Sequence, residues 1–519
     1  MGRPDREQVE TLLGIDVGTT GVKALCCRAE DGAVLTSAFA PYPLRHPRPG
    51  WAEQDPADWW AACGTAVRAC LDRATAAAIA PASVRGLGLS GQMHGAVLLD
   101  ERDQAVRPCI IWADQRSGAE CVEIHARVGQ RRLVEITGNP ALTGFTAAKV
   151  LWVRNHEPEV FARARRLLLP KDYIRLRMTG EAAIERSDAA GTNLLDIRTG
   201  EWSPEVLAAL DLSPALLPPV RGSTERCGTL TAEAAAHLGL PQGVPVAGGG
   251  ADNACGAVGT GVVSPGLALV SIGTSGVVLA PSATPKIDES AQTPRLHTFA
   301  HAVPQTWYLM GVTQAAGLSL RWARDTLAGA ATEYDELTAE AAHVAPGAEG
   351  VLFLPYLQGE RTPHLDPEAR GAWVGLAAAH RRGHLIRAVL EGVAFSLKDG
   401  FALLAEQDLP LAQVRITGGG ARSALWRQIC ADALGRPITT LAADEGPAFG
   451  AALIAGTAEG LYPSLQVACE RTVRPGETIE PDPATADIYR RQYALYRALY
   501  PALRETMHQL SRQPSTTPG

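Results

Sequence analysis

Two rhythms of apolar and polar positions alternate along this chain. Continuous apolar runs bounded by glycine read as buried strands: TLLGIDV ahead of Gly18, AVLTSAFAPYPL from Ala33, VRGLGLSG from Val84 and GAVLLD from Gly95. Between them runs a helical rhythm. In DPADWWAACGTAVRACLDRA, Trp59, Cys63, Val67 and Cys70 fall on one face, Asp55 is placed to cap the start, and Pro56 suits the first turn. Strands interleaved with helices predict an α/β fold. Near the end, Tyr489, Tyr493, Tyr496 and Tyr500 recur at helical spacing, which predicts a terminal helix docked on the second half.

One pattern repeats. IDVGTTGV begins at Ile15 and VSIGTSGV at Val270, each after an apolar run. Gly18, Thr19, Thr20, Gly21 and Val22 align with Gly273, Thr274, Ser275, Gly276 and Val277. Two related turns in two halves predict a duplicated α/β domain with a cleft between the copies. The turn-rich GTGVVSPG places the boundary near residue 262. The expected domains are therefore 11–262 and 263–505, with 1–10 and 506–519 as flexible tails.

Composition narrows the class. Of 519 residues, 46% are hydrophobic and 20% charged, enough to bury the cores of two domains. A net charge of −7 argues against a nucleic-acid partner. The ten cysteines form no C-x-x-C pair, which suits a reduced, cytoplasmic protein. The start, MGRPDREQVE, lacks the apolar core of a secretion signal, and no apolar run is long enough for a membrane span. The pairs His297/His301 and His380/His384 lack the glutamate of a zinc-protease helix.

Several short motifs could carry chemistry. GLGLSG, residues 86–91, matches a dinucleotide fingerprint, but the adjoining QMHGAVLLD reads as loop and strand rather than as the helix that fingerprint opens. The two Gly-Thr turns each aim backbone N–H groups one way, making anion nests. Facing each other across a cleft, they could hold a polyphosphate. No G-x-x-x-x-G-K-S/T loop occurs, so any ATP is held without a P-loop. Asp16, two residues before Gly18, either makes a local turn bond or meets phosphates through hydrated Mg2+. Gly418-Gly419-Gly420, leading into a helix capped near Ser423, is either a tight turn or a surface on which a flat ring can lie. His94, in SGQMHG, and Trp112 with Asp114, in IIWADQRS, offer the donors, acceptor and aromatic wall of a polar sugar site. Asp252, in GGGADNACGAVG, either caps a helix or accepts a proton.

These motifs together resemble the FGGY family of carbohydrate kinases. The resemblance runs from Leu12 to Tyr500. It rests on LGIDVGTTGVK, GWAEQDPADWW, GLSGQMHG, TGNPALTGFTAAKVLWVR, LLPKDYIRLRMTG, SDAAGTNLLD, GGGADNACGAVG, VSIGTSG, LQGERTPHLDPEARG and ITGGGARSALWRQICADALGRPI. SGQMHG with GERTPH points to the branch that phosphorylates D-xylulose. The resemblance implies two ribonuclease-H-like domains of the actin and hexokinase type with the active site in the cleft. It implies ATP and Mg2+, a small sugar as substrate, and a homodimer. Asp252 matches the family's catalytic base, and Asp16 the acid that organises Mg-ATP through water. Met93, His94, Trp112, Asp114 and Asn253 match sugar-side positions. Thr19, Thr20, Gly273 and Thr274 would hold phosphates, Gly419, Gly420 and Ser423 would border adenosine, and Gln314 and Gly317 would complete the nucleotide wall. Ser423 stands where many relatives carry Asn.

Overall fold

Each half of the chain builds one seven-stranded sheet in the computed structural model, which describes residues 9–289, 293–443 and 445–512. In the first half, β1 (Thr11–Val17), β2 (Gly21–Arg28) and β3 (Val34–Pro41) form an antiparallel meander. Helix α1 (Pro56–Ala76) comes next, its first turn capped by the Asp55 carboxylate, which accepts from Ala57 N at 3.0 Å. The face read from the sequence is the buried one, with Trp59, Cys63, Val67 and Cys70 all in the core. The chain then enters β4 (Val84–Gly91), parallel to β1. The glycines of GLGLSG thus lie within a strand and open no helix, which removes the dinucleotide reading. Helices α2 (Pro170–Thr179) and α3 (Arg186–Ala189) and strands β5 (Arg226–Thr229) and β6 (Pro245–Ala247) come after it, giving the order β5-β6-β4-β1-β2-β3. Gly250–Ala251 adds a short parallel pairing on β4, and α4 (Asp252–Gly259) starts at once.

The second half repeats the plan. Strands β7 (Gly266–Ile272) and β8 (Gly276–Ser282) pair antiparallel around the second Gly-Thr turn. Strands β9 (His297–Ala300) and β10 (Trp307–Thr313) extend that edge, and α5 (Gly317–Leu327) and the long α6 (Arg382–Glu406) come next. Strand β11 (Leu411–Thr417) runs parallel to β7, as β4 does to β1. After α7 (Ala424–Leu434) come β12 (Ile438–Leu441), α8 (Pro447–Ala458), β13 (Pro475–Ile479) and α9 (Ala486–Ser511), completing the order β9-β10-β8-β7-β11-β12-β13. The two-domain α/β expectation is met, and the echoed turns occupy equivalent places in the two sheets. None of the helices is long and apolar enough to cross a membrane among the described residues. The last helix reaches Ser511, past the 505 limit read from the sequence, and residues 513–519 of the expected tail lie outside the described residues.

One helix belongs spatially to the other half. Helix α8 packs on β1, β4 and α4 through contacts that admit no side chain. A Cβ on Gly14 would lie 1.8 Å from Ala448 O, one on Gly88 1.9 Å from Ala451 O, and one on Gly450 1.8 Å from Cys255 O. Its residues Ala451 to Ala455 join Leu12, Ala254 and Val258 in a single buried cluster.

The tyrosine stripe docks α9, and each hydroxyl finds a partner. Tyr489 donates to Glu391, Tyr493 to Asp399 at 2.6 Å, and Tyr500 to Asp366 at 2.7 Å, while Tyr496 and Tyr356 bond at 3.1 Å. His508 Nε2 also meets Asp366 Oδ2 at 2.7 Å, and Arg512 pairs with Glu368.

Candidate active site

Parallel strands end together, and ligands in open α/β sheets gather at their carboxyl ends. Here β1 delivers Asp16, β4 delivers Ser90 beside it, and the next pairing, Gly250 with Ser90, brings in Asp252 at the start of α4. Ser90 Oγ donates to Asp16 Oδ1 at 2.7 Å. Burial raises the Asp16 carboxyl, partly offset by Ser90 and Lys23. Burial, together with the smaller effect of the Asp16 charge, lifts Asp252 to about 7, against hydrogen bonds from Asn253. Asp252 is the first residue of α4, and Ala251 is the cap position. It therefore does not cap its helix: Oδ1 accepts from Asn253 N at 2.7 Å and from Asn253 Nδ2 at 3.0 Å.

The same Asn253 amide reaches Met93 Sδ at 3.8 Å, so Met93, Asn253 and Asp252 form one continuous surface. The next residue, His94, has a positive φ of 70°, an uncommon backbone state for a side-chain-bearing residue. Its Nδ1 meets Gly191 O at 2.6 Å, and its ring lies 4.4 Å from that of Phe145. Burial and the nearby Lys149 cation hold the imidazole well below its ordinary pKa, so it is neutral. Trp112 is 37% exposed and donates from Nε1 to Thr19 Oγ1 at 2.9 Å, tying its loop to the first Gly-Thr turn. Asp114 departs from its expected place. It is fully buried and its oxygens accept from Ala52 N at 2.6 Å and from Arg116 Nη2 at 2.7 Å. It shapes the loop from inside.

The second Gly-Thr turn borders a cavity of about 720 Å³ that also takes in Gly317, Gly419, Gly420 and Ser423. That volume is in the range of nucleotide-sized ligands. A Cβ on Gly419 would meet nothing within 4 Å, so its bare backbone faces open space, as a stacked ring would need. Gly317 is required for packing as well: its N donates to Gly273 O at 2.8 Å, and a Cβ would lie 2.6 Å from that oxygen. Ser423 Oγ caps α7, accepting from Trp426 N at 3.3 Å. Gln314 does not line this cavity, and its backbone N donates to Glu360 Oε1 at 3.0 Å. Arg321, Tyr334, Asp335 and Arg422 also line the cavity. Tyr334 and Asp335 sit in a charged stretch whose pattern is that of a solvated helix, so no sequence signal marked them. Thr19 and Thr20 occupy the equivalent turn of the first half.

A charge network lies behind these groups. Lys171, with no exposure, meets Asp172 at 2.7 Å, Asp188 at 3.0 Å and Glu185 at 3.4 Å, and Arg175 meets Asp172 at 2.9 Å. Three acids against two bases leave one surplus negative charge, and burial raises Asp188 well above its ordinary value. Glu185 accepts from Ser187 Oγ at 2.8 Å, and Ser187 Oγ in turn accepts from Ala251 N at 3.0 Å. The motifs LLPKDYIRLRMTG and SDAAGTNLLD thus fix the backbone on which Asp252 stands, and Gly191 in the second of them holds His94.

The donor set suits Mg2+ carried in by phosphates. Two neighbouring carboxylates repel each other, and one Asp16 oxygen has no bond to Ser90. Among the described residues no group of three or more His, Cys, Asp or Glu could hold a metal ion.

Comparison with known proteins gives concordant results. Residues 11–259 match the N-terminal domain, and 268–459 the C-terminal domain, of the FGGY family of carbohydrate kinases. The xylulose kinase of Escherichia coli K12 is 44% identical over 455 residues, covering 87% of this chain and 91% of that protein. The xylulose kinase of Bacillus subtilis 168 is 38% identical over 489 residues, covering 94% and 96%. The crystal structure of xylulose kinase from Rhodospirillum rubrum superposes with a TM-score of 0.87 at 36% identity, covering 96% of this chain and all of that one.

Proposed function

The chain belongs to the FGGY family of carbohydrate kinases, and from that premise we propose that it transfers the terminal phosphoryl group of ATP to the terminal hydroxyl of D-xylulose, giving D-xylulose 5-phosphate. The observation that carries this reading is the position of Asp252. It touches the Met93–Asn253 sugar-side surface and stands one strand away from Asp16.

A neutral hydroxyl is a weak nucleophile. Asp252 orients it and takes its proton as the bond to phosphorus forms. A carboxyl with a pKa of about 7 is matched to that task, since a base works best when its pKa lies near the working pH. Phosphoryl transfer proceeds through a loose transition state, so alignment and charge stabilisation supply most of the catalysis. The N–H groups of the two Gly-Thr turns would hold phosphate oxygens from opposite sides. Asp16 would position Mg2+ through water, and that cation would neutralise charge on the phosphates. Gly419, Gly420 and Ser423 would border adenosine. Closing the halves excludes water, the competing acceptor.

The test is ADP release measured with D-xylulose, D-ribulose, D-gluconate, glycerol and xylitol. D-xylulose should give the highest kcat/KM, with NMR locating the new phosphate ester on the terminal carbon. Release of ADP with none of these acceptors would point to a nucleotide-gated binding module and refute the reading.

A further inference from the structure

On the reading that the cleft accepts a ketose, we propose that Arg361, supplied by the C-terminal half, is a specificity-determining residue that hydrogen-bonds the keto end of the sugar beside His94.

The backbone around Arg361 is held firmly. Glu360 Oε1 accepts from Arg361 N at 2.7 Å and from Gln314 N at 3.0 Å, while Thr362 N donates to Val312 O at 2.9 Å. These bonds fix the main chain and leave the side chain to cross toward the other half. There, a Cβ on Gly144 would lie 3.8 Å from Arg361 Nη2 and 3.2 Å from Trp112 O. Lys149 Nζ donates both to Gly144 O and to His94 O, clipping that loop to His94. The positive charge of Arg361 is felt at His94 and at His297. Its guanidinium therefore sits where the sugar-side loops converge.

No hydrogen bond or ion pair is made by this guanidinium among the described residues. Arginines with buried side chains elsewhere are paired: Arg116 with Asp114 at 2.7 Å, Arg175 with Asp172 at 2.9 Å, and Arg387 with Glu391 at 2.8 Å. The adjacent Glu360, raised to about 8 by burial, makes no ion pair with it: its oxygens accept from Thr313 Oγ1, Gln314 N and Arg361 N. Burial lowers Arg361 itself. Arg361 is half-buried, so a ligand oxygen can reach its guanidinium.

The chemistry of that ligand is set by the two groups together. With Nδ1 donating to Gly191 O, the neutral His94 has a bare Nε2, which can only accept. Arg361 can only donate. An acceptor beside a donor fork fits a hydroxyl next to a carbonyl, the α-hydroxyketone end of an open-chain ketose. An alditol presents a tetrahedral hydroxyl in place of that carbonyl and matches the fork less well.

The experiment compares wild type, Arg361→Gln and Arg361→Lys with D-xylulose and with xylitol, after checking that all three melt alike. Arg361→Lys keeps the charge and removes the fork, and it serves if Arg361→Gln folds poorly. The expected result is a rise of about 10- to 100-fold in the D-xylulose KM, the range for losing a charged hydrogen bond. The ATP KM should stay put, and the change for xylitol should be no more than about threefold. An unchanged D-xylulose KM, an equal loss for both acceptors, or a raised ATP KM would each overturn the assignment. If wild type turns over another ketose instead of D-xylulose, the kinase reading needs a new substrate, and the Arg361 pattern is read on that ketose. If it accepts only non-ketoses, both fall.

Discussion

Replacing Gly450 by alanine tests whether the contact between α8 and α4 sets the position of Asp252. In the native structure a Cβ at 450 would stand 1.8 Å from Cys255 O and 2.8 Å from Gly259 N, both backbone atoms of α4. An ordinary C···O contact is about 3.3–3.6 Å, so α4 and α8 must part by roughly 1.5 Å. Nothing at the end of a flexible side chain can absorb that shift. On the far side, α8 is pressed against Gly14 and Gly88 just as closely, so the displacement falls on α4. A misplacement of about 1 Å costs about 100-fold in rate, and overpacking costs about 1–3 kcal/mol of stability. The expected outcome for Gly450→Ala is a kcat for sugar-stimulated ADP release lowered by about two decades, measured well below a melting temperature that itself falls. The control is Gly256→Ala on α4, where the added Cβ meets only Pro447 Cγ at 3.9 Å. A mid-helix glycine is worse than alanine by about 0.5–1 kcal/mol, so that variant should match or exceed wild-type stability and keep its turnover. A Gly450→Ala protein with normal kcat and normal melting would refute the packing argument.

Two further substitutions probe the groups behind the cleft. Asp252→Asn should lower kcat by about 100- to 10,000-fold while leaving ADP affinity, read by titration, unchanged; near-normal turnover would remove Asp252 from its role. Because the folded carboxyl is raised from 3.8 to about 7, the native state binds the extra proton between those values, and stability falls as pH rises through that window. Asn has no such loss, so the melting advantage of Asp252→Asn should be near zero at pH 4 and present at pH 8. Lys171→Met leaves Asp172, Glu185 and Asp188 with Arg175 alone, and breaking a buried ion cluster in this way costs about 3–5 kcal/mol. Urea unfolding would show it, and a midpoint equal to wild type would contradict the network.

Local pattern carried the strand-turn-strand units, the Asp55 cap and the Tyr489–Tyr500 stripe, because each depends on neighbours within a few residues. The duplication was legible for the same reason, as both Gly-Thr turns keep their local sequence. The placement of α8 was not legible. PAFGAALIAGTA reads as a buried helix of the second half, and only three-dimensional contact shows Gly450 against Cys255 and Gly14 against Ala448. Asp114 shows the limit for single polar residues: an acid in a loop looks the same from the sequence whether it faces a cleft or binds Arg116 from within. Arg361 lay inside the GERTPH motif and still went unassigned, because its distinguishing feature, a guanidinium with no hydrogen-bond or ion-pair partner among the described residues, shows only in the fold. Lys171 and Asp188, far apart in sequence, declare their ion pair only when folded.

The final helix has a role beyond covering the second core. Tyr500 and His508 grip Asp366, Arg512 grips Glu368, and Tyr496 holds Tyr356. Those three anchors bracket Arg361, so the closing stretch of polypeptide acts as a strut behind the wall that carries it. Trimming the protein back through Tyr500, or loading a bulky fusion onto Arg512, would slacken that wall. The same helix also packs on α7, the helix that Ser423 caps, so that side of the cavity would be disturbed with it.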